Sequence, residues 1–239
     1  MPLCKLAEVV ENGLVRRVSA VVAATPAIHE RFSRIARRSV LVANYPVEEE
    51  LDHSGDQPRN PTVCYVGGVE EIRGALTMVR AVELAGVELE LAGSIYPTHF
   101  QSRLIAEPGW PRVRYHGLVP RVSARAIMRR CSIGLLLFLP EPNHVESQPN
   151  KLFEYMAAGL PVIASDFPLW RQIIERVGCG VLVDPTNPRA VASAITQMLA
   201  NPEAAAEMGK RGREAVAESF TWKTQRQCLI SLYEALGAE

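Results

Sequence analysis

From residue 61 onward, short apolar runs alternate with stretches of helical periodicity. The runs are TVCYVG, VELELAG, RVRYHG, IGLLLFL, PVIAS and GVLV. Apolar positions recur at helical spacing over about 74–85, 98–106, 123–130, 149–158, 167–176 and 188–200. Three of the runs are nearly all apolar, the pattern expected of parallel strands covered on both faces. Strand–helix alternation over this length predicts an α/β fold, a doubly wound parallel sheet of Rossmann-like type. Two further helices are predicted at 202–217 and 221–237. In the second, Leu229, Leu232, Tyr233 and Leu236 form one apolar stripe.

The first 52 residues break this rhythm. VSAVVAAT reads as a strand, PAIHERFSRIARR as a helix and SVLVANYP as a second strand. Two strands do not make a stable sheet alone, so they are expected to dock on the larger domain or on something else. The polar, proline-bearing stretch DHSGDQPRNP, residues 52–61, marks a linker. The predicted organisation is an N-terminal remnant over 1–52, a linker over 53–60, a ligand-binding domain over 61–220 and a closing helix over 221–239.

Composition narrows the function classes. Lys plus Arg and Asp plus Glu both number 26, a formal net charge of zero, which gives no global electrostatic reason to bind nucleic acid. Cys4, Cys64, Cys131, Cys179 and Cys228 are scattered, with no CxxC pair or metal-ligand spacing. They read as reduced, mostly buried thiols of a cytoplasmic protein. The longest apolar run, IGLLLFL at 133–139, has the length of a strand, well short of a membrane span. No signal segment is evident at the N-terminus.

In open parallel sheets, ligands bind beyond the carboxyl ends of the strands where strand order reverses. If the six strands take the order 3-2-1-4-5-6, the loops after the first and fourth face each other. The first is YVGGVEEIRG and the fourth LPEPNHVESQPNK. Gly67 and Gly68 leave the backbone bare for a close ligand approach, and Arg73 follows before a helix. Neither a G-x-G-x-x-G fingerprint nor a G-x-x-x-x-G-K-[ST] phosphate loop is present.

The fourth loop leads into a helix whose first turn suits Pro149. Free N–H groups and the positive end of the helix dipole make that terminus an anion site. Lys151 adds a full charge, and Asn150 adds donors and an acceptor. Glu154 lies four residues past Asn150 and three past Lys151, on the same helix face. That layout matches a nucleoside diphosphate: phosphates at the helix end, then a ribose diol held by a carboxylate with two acceptors. Glu146, eight positions before Glu154, falls on the opposite side of the phosphates, where a transferred group would be.

The span ESQPNKLFEYMAAGLPVIAS, residues 146–165, resembles the signature of retaining glycosyltransferases of the B-type (GT-B) fold with an E-x7-E motif, of the glycosyl transferases group 1 kind. The similarity extends over nearly the whole chain. YVGG…RG resembles the first strand and phosphate loop of that family's C-terminal domain. LELAGS resembles its second strand, YHGLVPR its base-contacting loop, and FTWKTQRQCLISLYEALG its closing helix. The resemblance implies that Glu154 binds the ribose and that Arg73 and Lys151 contact the diphosphate. Backbone groups at Asn150 and Leu152 would assist them. It implies further that Glu146 approaches the sugar hydroxyls as the catalytic-site residue and that the backbone near Leu118 meets the base. No metal and no cofactor are implied, the donor being a nucleotide sugar, UDP-sugar by family frequency.

This sequence departs from the family in two ways. Many relatives carry arginine where Gly68 stands, and most of the family's N-terminal acceptor domain has no counterpart here. The expectation is therefore a donor-binding half that works with a separate acceptor-domain chain or as a homodimer. A non-catalytic nucleotide-sugar-binding remnant and a sugar-nucleotide epimerase are the alternatives.

Other features carry less. His29, His53, His99, His116 and His144 show no metal-ligand spacing; His144 lies in the long loop, within reach of a substrate. Arg121, Arg125 and Arg129 share one helix face, and Arg31, Arg34 and Arg38 another, either of which could meet an acidic membrane surface. Phe167 and Trp170 read as core.

Overall fold

The computed structural model describes residues 2–47 and 59–238, with side chains from residue 5 onward. The chain forms two compact units, Met1–Glu48 together with Ser219–Glu239, and Glu49–Glu218. Most of the predicted linker, including His53, lies outside the described residues.

The larger unit is built on six parallel strands: β3 (Asn60–Val66), β4 (Leu89–Ala92), β5 (Val113–Gly117), β6 (Cys131–Leu136), β7 (Val162–Ser165) and β8 (Gly180–Val183). Their spatial order is β5-β4-β3-β6-β7-β8, the 3-2-1-4-5-6 arrangement expected of the six runs. β4 and β7 are buried at every position, so helices cover both faces of the sheet. The connecting helices are α3 (Ala75–Ala85), α4 (Thr98–Ile105), α5 (Arg121–Arg130), the short α6 (Pro142–Val145), α7 (Asn150–Ala157) and α8 (Pro168–Val177). Two more, α9 (Pro188–Ala200) and α10 (Pro202–Ser219), follow. α9 packs on α3, while α5 packs on β3 and β6, and α7 on β6 and β7. Among the described residues, no helix is long and apolar enough to cross a membrane.

Arg59 stands at the foot of this sheet, within the predicted linker. Its Nη1 donates to the carbonyls of Met128, Arg129 and Cys131 at 3.0, 3.1 and 3.0 Å, and its Nη2 to those of Ala158 and Gly159 at 2.7 and 3.3 Å. One guanidinium thus satisfies the open carbonyl ends of both α5 and α7.

The smaller unit holds α1 (Pro2–Val15), β1 (Val21–Ala23), α2 (Pro26–Ser33), β2 (Ser39–Leu41) and α11 (Trp222–Gly237). β1 and β2 pair in parallel as a two-stranded sheet, with α2 as the crossover and α11 packed on β2. The Ala43 N–H donates to Gln225 Oε1 at 2.8 Å, and the Trp222 N–H to the Pro46 carbonyl at 2.8 Å. The closing helix therefore clusters with the N-terminal segment.

One expectation is corrected. The helix predicted over 26–38 stops at Ser33, whose hydroxyl donates to the Glu30 carbonyl at 2.9 Å and competes with the helical ladder. Arg38 consequently leaves the helix, and the Arg31–Arg34–Arg38 face does not form. α1 was not anticipated. Its Leu6, Val9, Val10 and Leu14 follow helical spacing, yet all four are more than half exposed, and neither end carries a charge that favours a helix terminus. Of the described cysteine side chains, Cys64, Cys131 and Cys179 are buried and Cys228 is exposed, in line with mostly buried thiols; all are free.

Candidate functional site

β3 and β6 lie side by side at the centre of the sheet, and the chain winds away from them in opposite directions. Their carboxyl ends mark the switch point, and both anticipated loops open there.

Glycines shape the first loop. The Gly67 N–H donates to the Ala92 carbonyl at 2.8 Å. Gly93 adopts φ +138, and a Cβ there would lie 1.7 Å from the Gly67 carbonyl oxygen. Only glycine lets the ends of β3 and β4 approach this closely. A Cβ on Gly67 would meet Lys151 Cε at 2.9 Å and Tyr65 Oη at 3.2 Å, so the arm of Lys151 crosses the bare α-carbon of Gly67. A Cβ on Gly68 would lie 3.1 Å from Glu70 Oε1 and 3.5 Å from Arg73 Nη1.

Arg73 closes a 3-10 turn, Glu71–Arg73, and Gly74 follows at φ +77. A Cβ on Gly74 would stand 1.9 Å from the Leu137 carbonyl, while the Leu139 N–H donates to the Ile72 carbonyl at 2.8 Å. The loop after β3 is thereby stitched to the loop after β6. The Arg73 guanidinium lies over the Phe138 ring, 5.5 Å from its centroid. Its Nε is 3.0 Å from Glu70 Oε1, yet the N–H is not aligned on that oxygen and makes no hydrogen bond. The Tyr65 hydroxyl donates to the Gly68 carbonyl at 2.9 Å. Burial pushes the Tyr65 phenol up to about 12, against the opposing pull of Arg73.

The second loop is held from beneath by aromatic packing. Trp170 is fully buried and Phe167 nearly so, as anticipated. Trp170 donates from Nε1 to the Ser147 carbonyl at 2.8 Å and packs edge-on against Phe138 and Phe167. His144 is buried too. Its ring lies 4.8 Å from that of Phe138, and its Nδ1 is 3.1 Å from the Leu139 carbonyl, so it braces the loop from inside. Glu146 caps the end of α6 and is exposed.

α7 begins at Asn150. Pro149 is its N-cap, at φ −76 and ψ 129, rather than part of its first turn. The Leu152 N–H donates back to the Pro149 carbonyl at 3.1 Å, and the Leu152 side chain is fully buried. Asn150 is exposed. Tyr155 anchors the helix: its hydroxyl accepts the Val66 N–H at 3.2 Å, at the very end of β3. Its ring fills the space over Gly134, where a Cβ would meet Tyr155 Cδ2 at 2.7 Å. Burial holds the Tyr155 hydroxyl well above the ordinary phenol range. From this anchored helix Lys151 Nζ reaches Glu154 Oε2 at 2.6 Å, both side chains partly buried.

The anticipated residues thus fall into two groups. Contacts connect Gly67, Gly68, Arg73, Lys151 and Glu154 into one cluster at the switch point. Leu118 is 82% exposed in the loop after β5, Glu146 lies in the loop before α7, and Asn150 and Leu152 flank Lys151 in the first turn of α7. Four contributors escaped the sequence reading: Tyr65, Glu70, Gly93 and Tyr155. Gly93 carried a signal, ending the VELELAG run as Gly67 ends the first. The tyrosines read as ordinary strand and helix core positions.

A six-stranded parallel sheet of this order, open at its switch point, is a Rossmann-like doubly wound fold. The chain belongs to the family described as Glycosyl transferases group 1, which matches residues 60–201. It is similar to glycogen synthase of Mycobacterium tuberculosis, at 21% identity over 252 residues, covering 98% of this chain and 58% of that protein. It is also 34% identical over 83 residues to spore coat protein SA of Bacillus subtilis, covering 34% of this chain and 22% of that protein. Among solved structures, sucrose-phosphate synthase from Thermosynechococcus elongatus superposes with a TM-score of 0.77 at 22% identity. That match covers 96% of this chain and 61% of the synthase. Anabaena HepE in complex with UDP-glucose superposes with a TM-score of 0.76 at 17% identity, covering 94% of this chain and 66% of HepE. The chain spans little more than half the length of the glycogen synthase it matches.

Proposed function

We propose that this chain provides the donor side of a retaining, metal-independent glycosyl transfer, binding a nucleoside diphosphate sugar at the switch point of its larger unit. The observation that carries this reading is the convergence of Lys151 and Arg73 on the bare backbone of Gly67 and Gly68, with Glu154 beside Lys151 on the same helix. Two cations and the N-terminus of α7 supply what a departing diphosphate requires without a metal ion. Glu154, one turn further along, accepts from the ribose hydroxyls. Glu146, on the loop before α7, faces the transferred sugar, and the backbone near Leu118 meets the base.

The Leu152 N–H is already engaged with Pro149, so it assists only if that turn opens; Asn150 carries the rest of the backbone contribution. The solved HepE complex holds UDP-glucose, which supports UDP-sugar as the donor class here. A separate acceptor-domain chain, or a second copy of this one, completes the acceptor side, and a cytoplasmic location fits a nucleotide-sugar donor.

Isothermal calorimetry with UDP, GDP and ADP tests the binding step. One of the three is expected to bind, and the Arg73→Ala/Lys151→Ala double variant is expected to lose that binding while staying folded. Equal affinity of wild type and double variant would sink the assignment.

A further inference from the structure

Both cations of the proposed diphosphate site are already paired with a nearby carboxylate. Lys151 is held by Glu154 at 2.6 Å, and Arg73 sits 3.0 Å from Glu70. Glu154 has work to do once a nucleotide arrives, because a ribose needs its acceptors. Glu70 has none. Its position is nonetheless specific, since one of its oxygens lies 3.1 Å from where a Gly68 Cβ would stand, on the backbone surface left bare for a ligand.

Resting on the nucleotide site above, we propose that Glu70 is a positioning residue, a built-in anion that holds Arg73 in place until the donor's diphosphate displaces it. Three features fit this role. The Glu70–Arg73 contact is close but misaligned, leaving the buried Arg73 Nε without a hydrogen bond. A phosphate oxygen arriving at that N–H satisfies it and removes the cost of a buried, unpaired donor. The absence of a side chain at Gly68 opens the gap into which the Glu70 carboxylate folds. The Glu70 side chain caps nothing in the turn: the loop is held by its carbonyl, which accepts from Arg73 and Ala75 N–H groups at 3.2 and 3.3 Å. The side chain is therefore free to swing away while the backbone keeps its shape.

Such an anion has two consequences. It keeps Arg73 orientated toward the site, and it sets a threshold that only a strongly anionic ligand crosses. A diphosphate displaces it; a nucleoside, with no phosphate to offer Arg73, leaves it in place. Glu70 thus makes the site select for phosphate count as well as for ribose.

The test is calorimetry on Glu70→Gln and Glu70→Ala, with whichever of UDP, GDP and ADP binds wild type, and with the matching nucleoside. Removing the competing charge is expected to tighten the diphosphate by about three- to ten-fold, within the range for a partly exposed ion pair plus relief of like-charge repulsion. Nucleoside affinity is expected to stay unchanged, and the gain to vanish in an Arg73→Ala background. Diphosphate affinity that is unchanged or weaker in both folded variants overturns the displacement role, as does a gain that persists without Arg73. If wild type binds none of the three diphosphates, the nucleotide site fails and this role fails with it. Binding by wild type with no gain in the variants overturns the Glu70 role alone.

Discussion

Lys151 Nζ and Glu154 Oε2 lie 2.6 Å apart, three residues from each other on α7, so the proposed phosphate cation and ribose carboxylate neutralise each other. A nucleotide that engages both must separate them. What is lost is a partly exposed pair, worth up to about 1 kcal/mol. Hydrogen bonds from a ribose diol to the freed carboxylate more than offset this, at about 1.5–3 kcal/mol. Glu154→Gln is therefore expected to weaken nucleoside diphosphate binding by between about two-fold and about a hundred-fold. The loss should be much smaller for the 2′,3′-dideoxy analogue, which calorimetry on both ligands measures. An equal loss for the two ligands would move Glu154 away from the ribose.

Tyr155 sets where that helix sits. Its hydroxyl is the partner of the Val66 N–H at the end of β3, at a buried site. Tyr155→Phe keeps the ring packed over Gly134 but orphans that donor, at a cost of about 1–3 kcal/mol. Urea denaturation should show a lower midpoint with an unchanged slope. Nucleotide affinity should fall as well, since α7 loses its fastening to β3 and carries Lys151 and Glu154. A variant as stable as wild type would mean the Val66 N–H finds another partner.

How much of this was legible beforehand depended on how local the signal was. β6 and β7 announced themselves as apolar runs, because burial at nearly every position leaves no alternation to blur them, while β5, with no buried residue, was carried by the rhythm of the runs around it. Pro188 and Pro202 open α9 and α10, and Gly86 and Gly178 close α3 and α8, by chemistry that acts within a turn. The switch-point cluster was legible because Lys151 and Glu154 share a helix face at fixed spacing. The Glu70–Arg73 pairing and the bond from Val66 to Tyr155 were not, since both depend on side-chain placement or on pairing across 89 residues of sequence. α1 was missed for a different reason: its apolar stripe has helical spacing and Pro2 opens it, but no charge favours either terminus.

Arg59 offers a test of the sheet's other end. Its five carbonyl partners close the ends of α5 and α7, and charged donors of this kind contribute about 1.5–3 kcal/mol. Arg59→Ala is expected to lower thermal stability by several degrees while leaving nucleotide affinity per folded molecule unchanged. Arg59→Lys should recover only part of the loss, because a single ammonium cannot reach both helix ends in the planar fork that guanidinium provides. Full recovery by lysine would show that charge alone, without geometry, holds the two ends.

Glu90 should govern part of the response to acid. Its side chain is only 3% exposed on β4, yet it is ionised among three cationic or basic groups. His116 Nε2 and Arg130 Nη2 each lie 2.5 Å from Oε2, and Arg114 Nη1 lies 3.2 Å from Oε1. Burial alone would raise its pKa, but hydrogen bonds from Arg130 and His116 outweigh it and hold the carboxyl below the usual value of 4.5. A carboxyl depressed in the folded state contributes stability that is fully present above its unfolded pKa. That contribution is lost as pH falls from 4.5 through the lower, folded value. Glu71, Glu107 and Asp184 are depressed as well, so the acid slope of wild type alone does not isolate Glu90. Glu90→Gln does. At pH 7 it is expected to cost about 1.5–3 kcal/mol, because charge-assisted hydrogen bonds from Arg130 and His116 are lost while the arginines left behind stay partly exposed to water. Below pH 4.5 the gap to wild type should narrow steadily as the wild-type carboxyl takes up its proton. Urea denaturation at steps from pH 7 to pH 3 measures that gap, and a gap constant across the whole range would show that Glu90 acts there through shape and not through charge.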